Sequence, residues 1–564
     1  MFLAALLLVL ASASFSSAAQ AAPAPERLAR RAEARDRFLD HASERARILG
    51  AERRLGSVSI ARTKLEPLEE TAPLRATEGA TEGADEARTM SWSPYVGPFA
   101  LPQAGHLMRR AVLGPQLIEM RTAATRGLGA TVDGLLNPRP LPGPPAPWAL
   151  EPLPDLSGYT QEMFDSLFTV YFTRMDILRL WWGSEMASSE ACLQESMTLF
   201  WHDHFATGAE KAFIPASMYK QNQLFREYAV GNFRNLVQEI CVDPAMIIWL
   251  DGNSNYAGNE NENFARELLE LFALGVGHYS QADVVAASRA FTGYFTYDGV
   301  TTDFEPWAHD YGQKTFLGQT GPWFGPDIVE IIFEQPETAR FLCRKLYKYF
   351  IDENPNEALI EDLAQTLRAN DYEVGPVLER MFSSQLFFDP SITGALYTDG
   401  MDKSFGLVRA FDIDPAPFAD VSAPAAQWAF FCMYSSGQYL LDPPNVGGWP
   451  GYRSWVNSYT LPWRRILDVA LVDGEVFGTP IFLEASAHDL ALQSSNPNSA
   501  SKLVDEFSVA YLGMAPTPLV RTRMIDELLQ GMNPNEWNIN LPGADDRVRD
   551  LLRLIIRLPN SQLE

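Results

Sequence analysis

Beyond residue 93, apolar residues recur mainly at helical spacing, and no stretch alternates with polar residues long enough to form a large sheet. Helical spacing marks 160–182, 189–205, 217–240, 327–350, 403–412 and 425–436. Asn354 before Pro355 has the form of an N-cap followed by Pro at the first helical position, opening a helix that stops at Asn370. Ser280-Gln281-Ala282-Asp283 resembles a capping box for a helix carrying Val284, Val285 and Ala287. Between these segments lie a Pro-rich stretch (137–156) and two long loops rich in Gly, Pro and aromatic residues (295–326 and 441–463). Loops of that length are usually functional or disordered, and their Trp and Tyr content argues for order. No internal repeat is visible. The pattern predicts a mainly α protein with one large helical body over 93–480, long irregular loops, and a small C-terminal helical lobe over 481–564.

The first 92 residues read differently. Residues 1–21 carry an apolar run followed by Ala19-Gln20-Ala21, the pattern of a cleavable secretory signal, although no charged segment precedes it. Residues 26–57 are rich in Arg, Glu and Ala and read as a charged, exposed helix; 64–90 are acidic, low in complexity, and read as a flexible linker. An exported protein, periplasmic or extracellular, with no membrane span is expected. Over 564 residues, 71 Asp and Glu outnumber 45 Lys and Arg, a net charge of −26. That balance disfavours nucleic acid and anionic membranes and suits a cationic partner or a neutral one such as a glycan. Four cysteines (Cys192, Cys241, Cys343, Cys432) lack a C-x-x-C pair and leave open either disulfides or buried thiols.

The sharpest polar pattern lies between Trp249 and Leu274. At 100° per residue, Asn263, Arg266, Glu267 and Glu270 share one arc of a helix, while Phe264, Leu268, Leu271 and Phe272 share the opposite one. The loop before it places Asp251, Asn253, Asn255, Asn259 and Glu262 at positions 1, 3, 5, 9 and 12, the oxygen spacing of an EF-hand-like calcium loop. Position 6 is Tyr256, where the sharp turn wants Gly, so an Asx-rich turn is the competing reading. His202 and His204 form an H-x-H pair on a predicted helix, a geometry that separates the two rings. His204 reads as a core histidine satisfied by a backbone carbonyl, and His202 beside Glu195 as a general base or single metal ligand. Glu267 and Glu270, flanked by Arg266, suit either proton transfer or a buried ion-pair network. His309-Asp310 with Lys314 sits in a long loop as a further candidate, and Asp442, Asn445, Trp449, Tyr452 and Trp455 suit a sugar-stacking platform or a plug for the helical core.

Several blocks together resemble the bacterial domain-of-unknown-function family 1800. They are Leu199-Phe200-Trp201-His202-Asp203-His204-Phe205-Ala206-Thr207, Asn261 to Phe272, Lys314-Thr315-Phe316-Leu317-Gly318, and Asp442 to Gly451. His106 to Arg110 with Gly114-Pro115, and Leu558 to Leu563, look like the family's two ends. The resemblance spans roughly 95–564 and implies an exported, largely helical bacterial protein, often encoded beside a sulfatase-like exported protein. It supplies no reaction. Where the family usually has Trp-His-Asn-His-Phe, this chain has Asp203 in place of the Asn.

Two functions are consistent with these features. One is a hydrolase assisted by Ca2+ or another divalent cation, acting on extracellular glycopolymers or their modifications, with water activated near His202 and Glu267 and negative charge stabilised by Arg266. The other is a non-catalytic binding or assembly factor for a sulfatase-like partner.

Overall fold

The computed structural model describes residues 30–47, 91–188 and 193–564. The secretory-type segment, the acidic 64–90 stretch and Cys192 lie outside the described residues. Helices account for most of the rest, and the strands form only three two-stranded antiparallel hairpins, with registers such as Tyr294 opposite Phe304 and Lys314 opposite Gly321. The chain is mainly α. Among the described residues no helix is long and apolar enough to cross a membrane.

Local chemistry accounts for where helices begin and break. The longest, Gln161–Ala187, starts where the Thr160 hydroxyl accepts from the Met163 N–H. Ser280 and Asp283 close the anticipated capping box on Gln281–Ala290. The predicted 217–240 helix is two, Pro215–Glu227 and Phe233–Cys241, because Asn232 caps a fresh start by accepting from the Asn235 N–H. The predicted 327–350 helix is likewise split into Gly325–Phe333 and Pro336–Phe350, since Pro336 has no N–H to continue the first ladder. The cap expected at Asn354 falls two residues later. Asn356 accepts from the Ala358 and Leu359 N–H groups at 3.0 and 3.3 Å, so Pro355 precedes the cap instead of following it.

One contiguous apolar core runs through the described residues, with Trp182 and Trp201 among its largest fully buried side chains. Leu193–His204 packs on Pro215–Glu227, Pro336–Phe350 on Glu357–Ala369, and Thr460–Asp473 on both Pro424–Ser436 and Ala544–Arg557. Ala500–Leu512 returns to Leu101–Ala111 and Leu117–Arg126, so the two ends of the 91–564 body meet. The Arg109 guanidinium fastens them, donating to the Ala510 and Leu563 carbonyls at 2.9 and 2.7 Å. Residues 30–47 are helical but not wholly exposed. Phe38 is fully buried against Phe164 and Tyr171, and Arg35 is buried and donates to the Thr296 carbonyl. A charge-rich helix can therefore dock through a single narrow stripe (Ala34, Phe38, Ala42) that composition averages away. Cys241, Cys343 and Cys432 are buried free thiols.

Candidate functional site

Where the body's two ends meet, the structure holds a cavity of about 250 Å³. Leu101–Ala111 contributes Arg109 and Arg110, and Leu193–His204 contributes Ser196, Phe200, Asp203 and His204. Pro336–Phe350 adds Lys345, Lys348 and Tyr349. Asp399 and Asp402 enter from the turn before 402–410, Trp449, Tyr452 and Trp455 from the long 441–463 loop, and Glu564 from the C-terminal segment. Aromatic faces, four acids and four bases thus share one small space.

Backbone geometry fixes one of these acids, Asp203. Gly448 adopts φ +83°, and a Cβ there would stand 2.3 Å from Asp203 Oδ1, so only glycine lets this loop close on the carboxyl. The Trp449 N–H then donates to Asp203 Oδ1 at 2.7 Å. Desolvation nevertheless pushes the Asp203 pKa up to about 6, with the Trp449 hydrogen bond and Lys345 opposing it. Lys345 donates to the Leu271 carbonyl at 3.1 Å, and desolvation pushes its pKa down to about 8 against the pull of Asp203. Each acts on the other's charge, yet no ion pair joins them. Asp399, which accepts from the Met401 and Asp402 N–H groups at 2.8 Å, is also raised by burial to about 6, and Glu564 to about 8 by burial and then by Asp402. Tyr349 Oη donates to the Ser196 carbonyl at 3.2 Å.

The family described as "Protein of unknown function (DUF1800)" matches residues 106–563, nearly the whole body. The chain belongs to the DUF1800 family. No curated protein and no solved structure matches it.

In this DUF1800 protein, three of the segments that carry the resemblance converge on the cavity from distant parts of the chain. The His106–Arg110 segment supplies Arg109 and Arg110, the Leu199–Thr207 block Asp203 and His204, and the Gly-Gly-Trp-Pro-Gly block Trp449. The Asn261–Phe272 block stands just behind the wall, where the Phe272 carbonyl accepts from His204 Nε2 at 2.9 Å. That is the satisfied core histidine expected of His204, although the same residue also reaches the cavity.

Other candidates lie elsewhere, most of them engaged with partners of their own. In the loop before Asn263, Asp251 pairs with Lys211 at 2.6 Å and Asn253 Oδ1 accepts from the Thr296 N–H at 2.9 Å. Asn255 bridges the Asn261 N–H and the Ser288 carbonyl, Asn259 donates to the Ser254 carbonyl, and Glu262 pairs with Arg266 at 2.8 Å. These oxygens face different partners instead of one centre, and among the described residues no three His, Cys, Asp or Glu side chains group as a metal site requires. The arc of Asn263, Arg266, Glu267 and Glu270 is half-buried, as its spacing suggests, but Asn263–Glu267 passes into a π-helix at Leu268–Ala273, and the arc does not line the cavity. The Glu267 pKa is raised by burial and then by Glu270, while Glu270 accepts from the Tyr279 hydroxyl at 2.8 Å. His309 stacks on Phe324 at 4.2 Å and its Nδ1 meets the Thr292 carbonyl at 2.9 Å; Asp310 pairs with Arg289, and buried Lys314 donates to the Asp310 and Gly312 carbonyls. These three latch a loop. Asp442 holds Arg179 at 3.0 Å and the Glu210 N–H, and Asn445 Oδ1 accepts from the Gly447 N–H at 2.8 Å. Only Trp449, Tyr452 and Trp455 of the initial candidates line the cavity.

His202 and Glu195 belong to the core. The Arg226 guanidinium grips both Glu195 oxygens at 2.6 and 2.9 Å, and the Trp182 indole N–H adds a third bond at 3.1 Å. His202 is enclosed by Trp182, Trp449 and Phe225, with Nε2 unpartnered, and desolvation pushes its pKa down to about 3. A ring so buried is neutral when folded but protonates in the unfolded chain near pH 6.5, so its contribution to stability falls as pH drops below that value. His202→Phe should therefore gain about 2 kcal/mol on the wild type between pH 6.5 and pH 5. Urea denaturation of both proteins at the two pH values measures this difference; equal pH slopes would refute it.

Proposed function

We propose that this protein is an exported hydrolase that acts on sugar-like extracellular polymers or their substituents, and that the cavity at the meeting of the chain's two ends is its active site. The observation that carries the reading is that Asp203 and Lys345 both line an aromatic-rich cavity and act on each other's charge, with no ion pair between them. At neutral pH a carboxyl titrating near 6 is mostly ionised and able to take a proton from water. An ammonium titrating near 8 is mostly charged and able to protonate a leaving group. Trp449 and Trp455, both nearly buried, and Tyr452 offer flat apolar faces of the kind that pack on a sugar ring. A divalent cation supplies no step in this reading, because the oxygens that could bind it point apart.

The test is a panel of chromogenic glycosides and sugar esters assayed from pH 5 to 9. The expected kcat/KM profile is bell-shaped, its acid limb set by Asp203 near pH 6 and its basic limb by Lys345 near pH 8. A profile flat across both limbs, or no turnover of any member of the panel, would remove the proposal.

A further inference from the structure

Of the two adjacent arginines on the cavity wall, Arg109 leaves one nitrogen without a partner and Arg110 leaves two. Arg109 gives Nη1 and Nη2 to backbone carbonyls. Arg110 is only 4% exposed, gives Nη2 to the Ile392 carbonyl at 2.8 Å, and leaves Nε and Nη1 with no hydrogen-bond partner. Comparably buried arginines in this protein are better satisfied: Arg179 holds Asp442, Arg226 holds Glu195 and Arg409 holds Glu119, while Arg464, which pairs with no carboxylate, donates to the Gln562 amide oxygen and the Thr398 carbonyl. A buried guanidinium without an anion is costly, and the unpartnered Nε and Nη1 are donors that an oxyanion would satisfy. Burial draws the Arg110 pKa down only to about 10, so the group stays charged at neutral pH. The acid acting on it most strongly is Glu564, with the Tyr452 phenol and Asp352 further down, yet none of them forms an ion pair or hydrogen bond with its Nε or Nη1.

We infer that the cavity's ligand carries an anionic substituent, a carboxylate, sulfate or phosphate monoester, that pairs with the Arg110 guanidinium. This deepens the hydrolase proposal and rests on its cavity. The neutral remainder of the ligand would lie toward Trp449 and Asp203, so the anion serves as a handle for positioning and specificity and takes no part in proton transfer.

Isothermal titration of the full-length protein at pH 7 with glucose, glucuronate, glucose 6-sulfate and glucose 6-phosphate tests this directly. At least one charged sugar should bind ten-fold or more tightly than glucose, and inorganic sulfate or phosphate should compete with it. The strongest of the three identifies the substituent. Arg110→Met should abolish the preference, whereas Asp203→Asn should keep it. If Arg110→Met does not fold, Arg110→Lys keeps a charge but loses the guanidinium N–H donors and should weaken the charged sugar at least ten-fold with little effect on glucose. Equal affinity for glucose and all three charged sugars, or an unchanged preference in the Arg110 variant, would overturn the inference. Charged-sugar binding without turnover would retain the anion site and discard the hydrolase. Turnover of neutral substrates without anion preference would do the reverse.

Discussion

Replacing Asp203 by Asn should reduce turnover by about 10²- to 10⁴-fold, the usual contribution of a positioned general base. The substitution is nearly isosteric, and the amide oxygen can still accept from the Trp449 N–H, so the close approach of Gly448 is preserved. Stability should move the other way. The folded state raises this carboxyl from 3.8 to about 6, which means that above pH 6 the ionised group favours the unfolded chain. Removing it should therefore stabilise the protein at pH 8 by up to about 3 kcal/mol, and by much less at pH 4. An inactive but more stable variant is the signature of a site that trades stability for chemistry. Steady-state rates together with denaturant midpoints at the two pH values decide the matter. Wild-type turnover by Asp203→Asn would sink the assignment of the base.

Arg226→Met should be among the most destabilising single substitutions in the chain, by about 3–5 kcal/mol, because it strands the Glu195 carboxylate in the core. Glu195 is 7% exposed and Arg226 1%, and the two make a bidentate pair supported by Trp182 and by Asn222, whose Oδ1 accepts from Arg226 at 2.7 Å. The double variant Glu195→Leu/Arg226→Met removes both charges and should recover most of that loss, since an apolar pair of similar volume leaves no charge to desolvate. Denaturant unfolding of the two single variants and the double variant completes the cycle. Single variants costing under about 1 kcal/mol, or a double variant as unstable as their sum, would show that the pair is not coupled as the geometry states.

The same pair shows why the site was only partly legible in the sequence. Glu195 and His202 fall seven residues apart on one helix face, which suggested a solvent-facing acid and base, yet the partner that claims Glu195 lies 31 residues away on the next helix. His202 is silenced by Trp449, which comes from a loop almost 250 residues downstream. Asx spacing before Asn263 likewise suggested a cation loop, but its side chains are drawn off by Lys211, Thr296, Ser288 and Arg266. What did mark the cavity was the set of family-like blocks: Arg109-Arg110, Asp203-His204 and Gly448-Trp449 were all within them. Lys345, Asp399 and Glu564 lay outside any distinctive pattern.

Periodicity and capping chemistry, read along the chain alone, determined that the protein is helical, where several helices begin, and that its long aromatic loops are ordered. Those features follow from interactions over a few residues, and neighbouring side chains settle them before any distant contact forms. Only the tertiary structure decided which charged groups are free to do chemistry. Spacing cannot report desolvation or the identity of a remote partner, and these two terms turn Glu195 into a structural strut, leave Arg110 unpaired, and shift Asp203 and Lys345 toward neutrality.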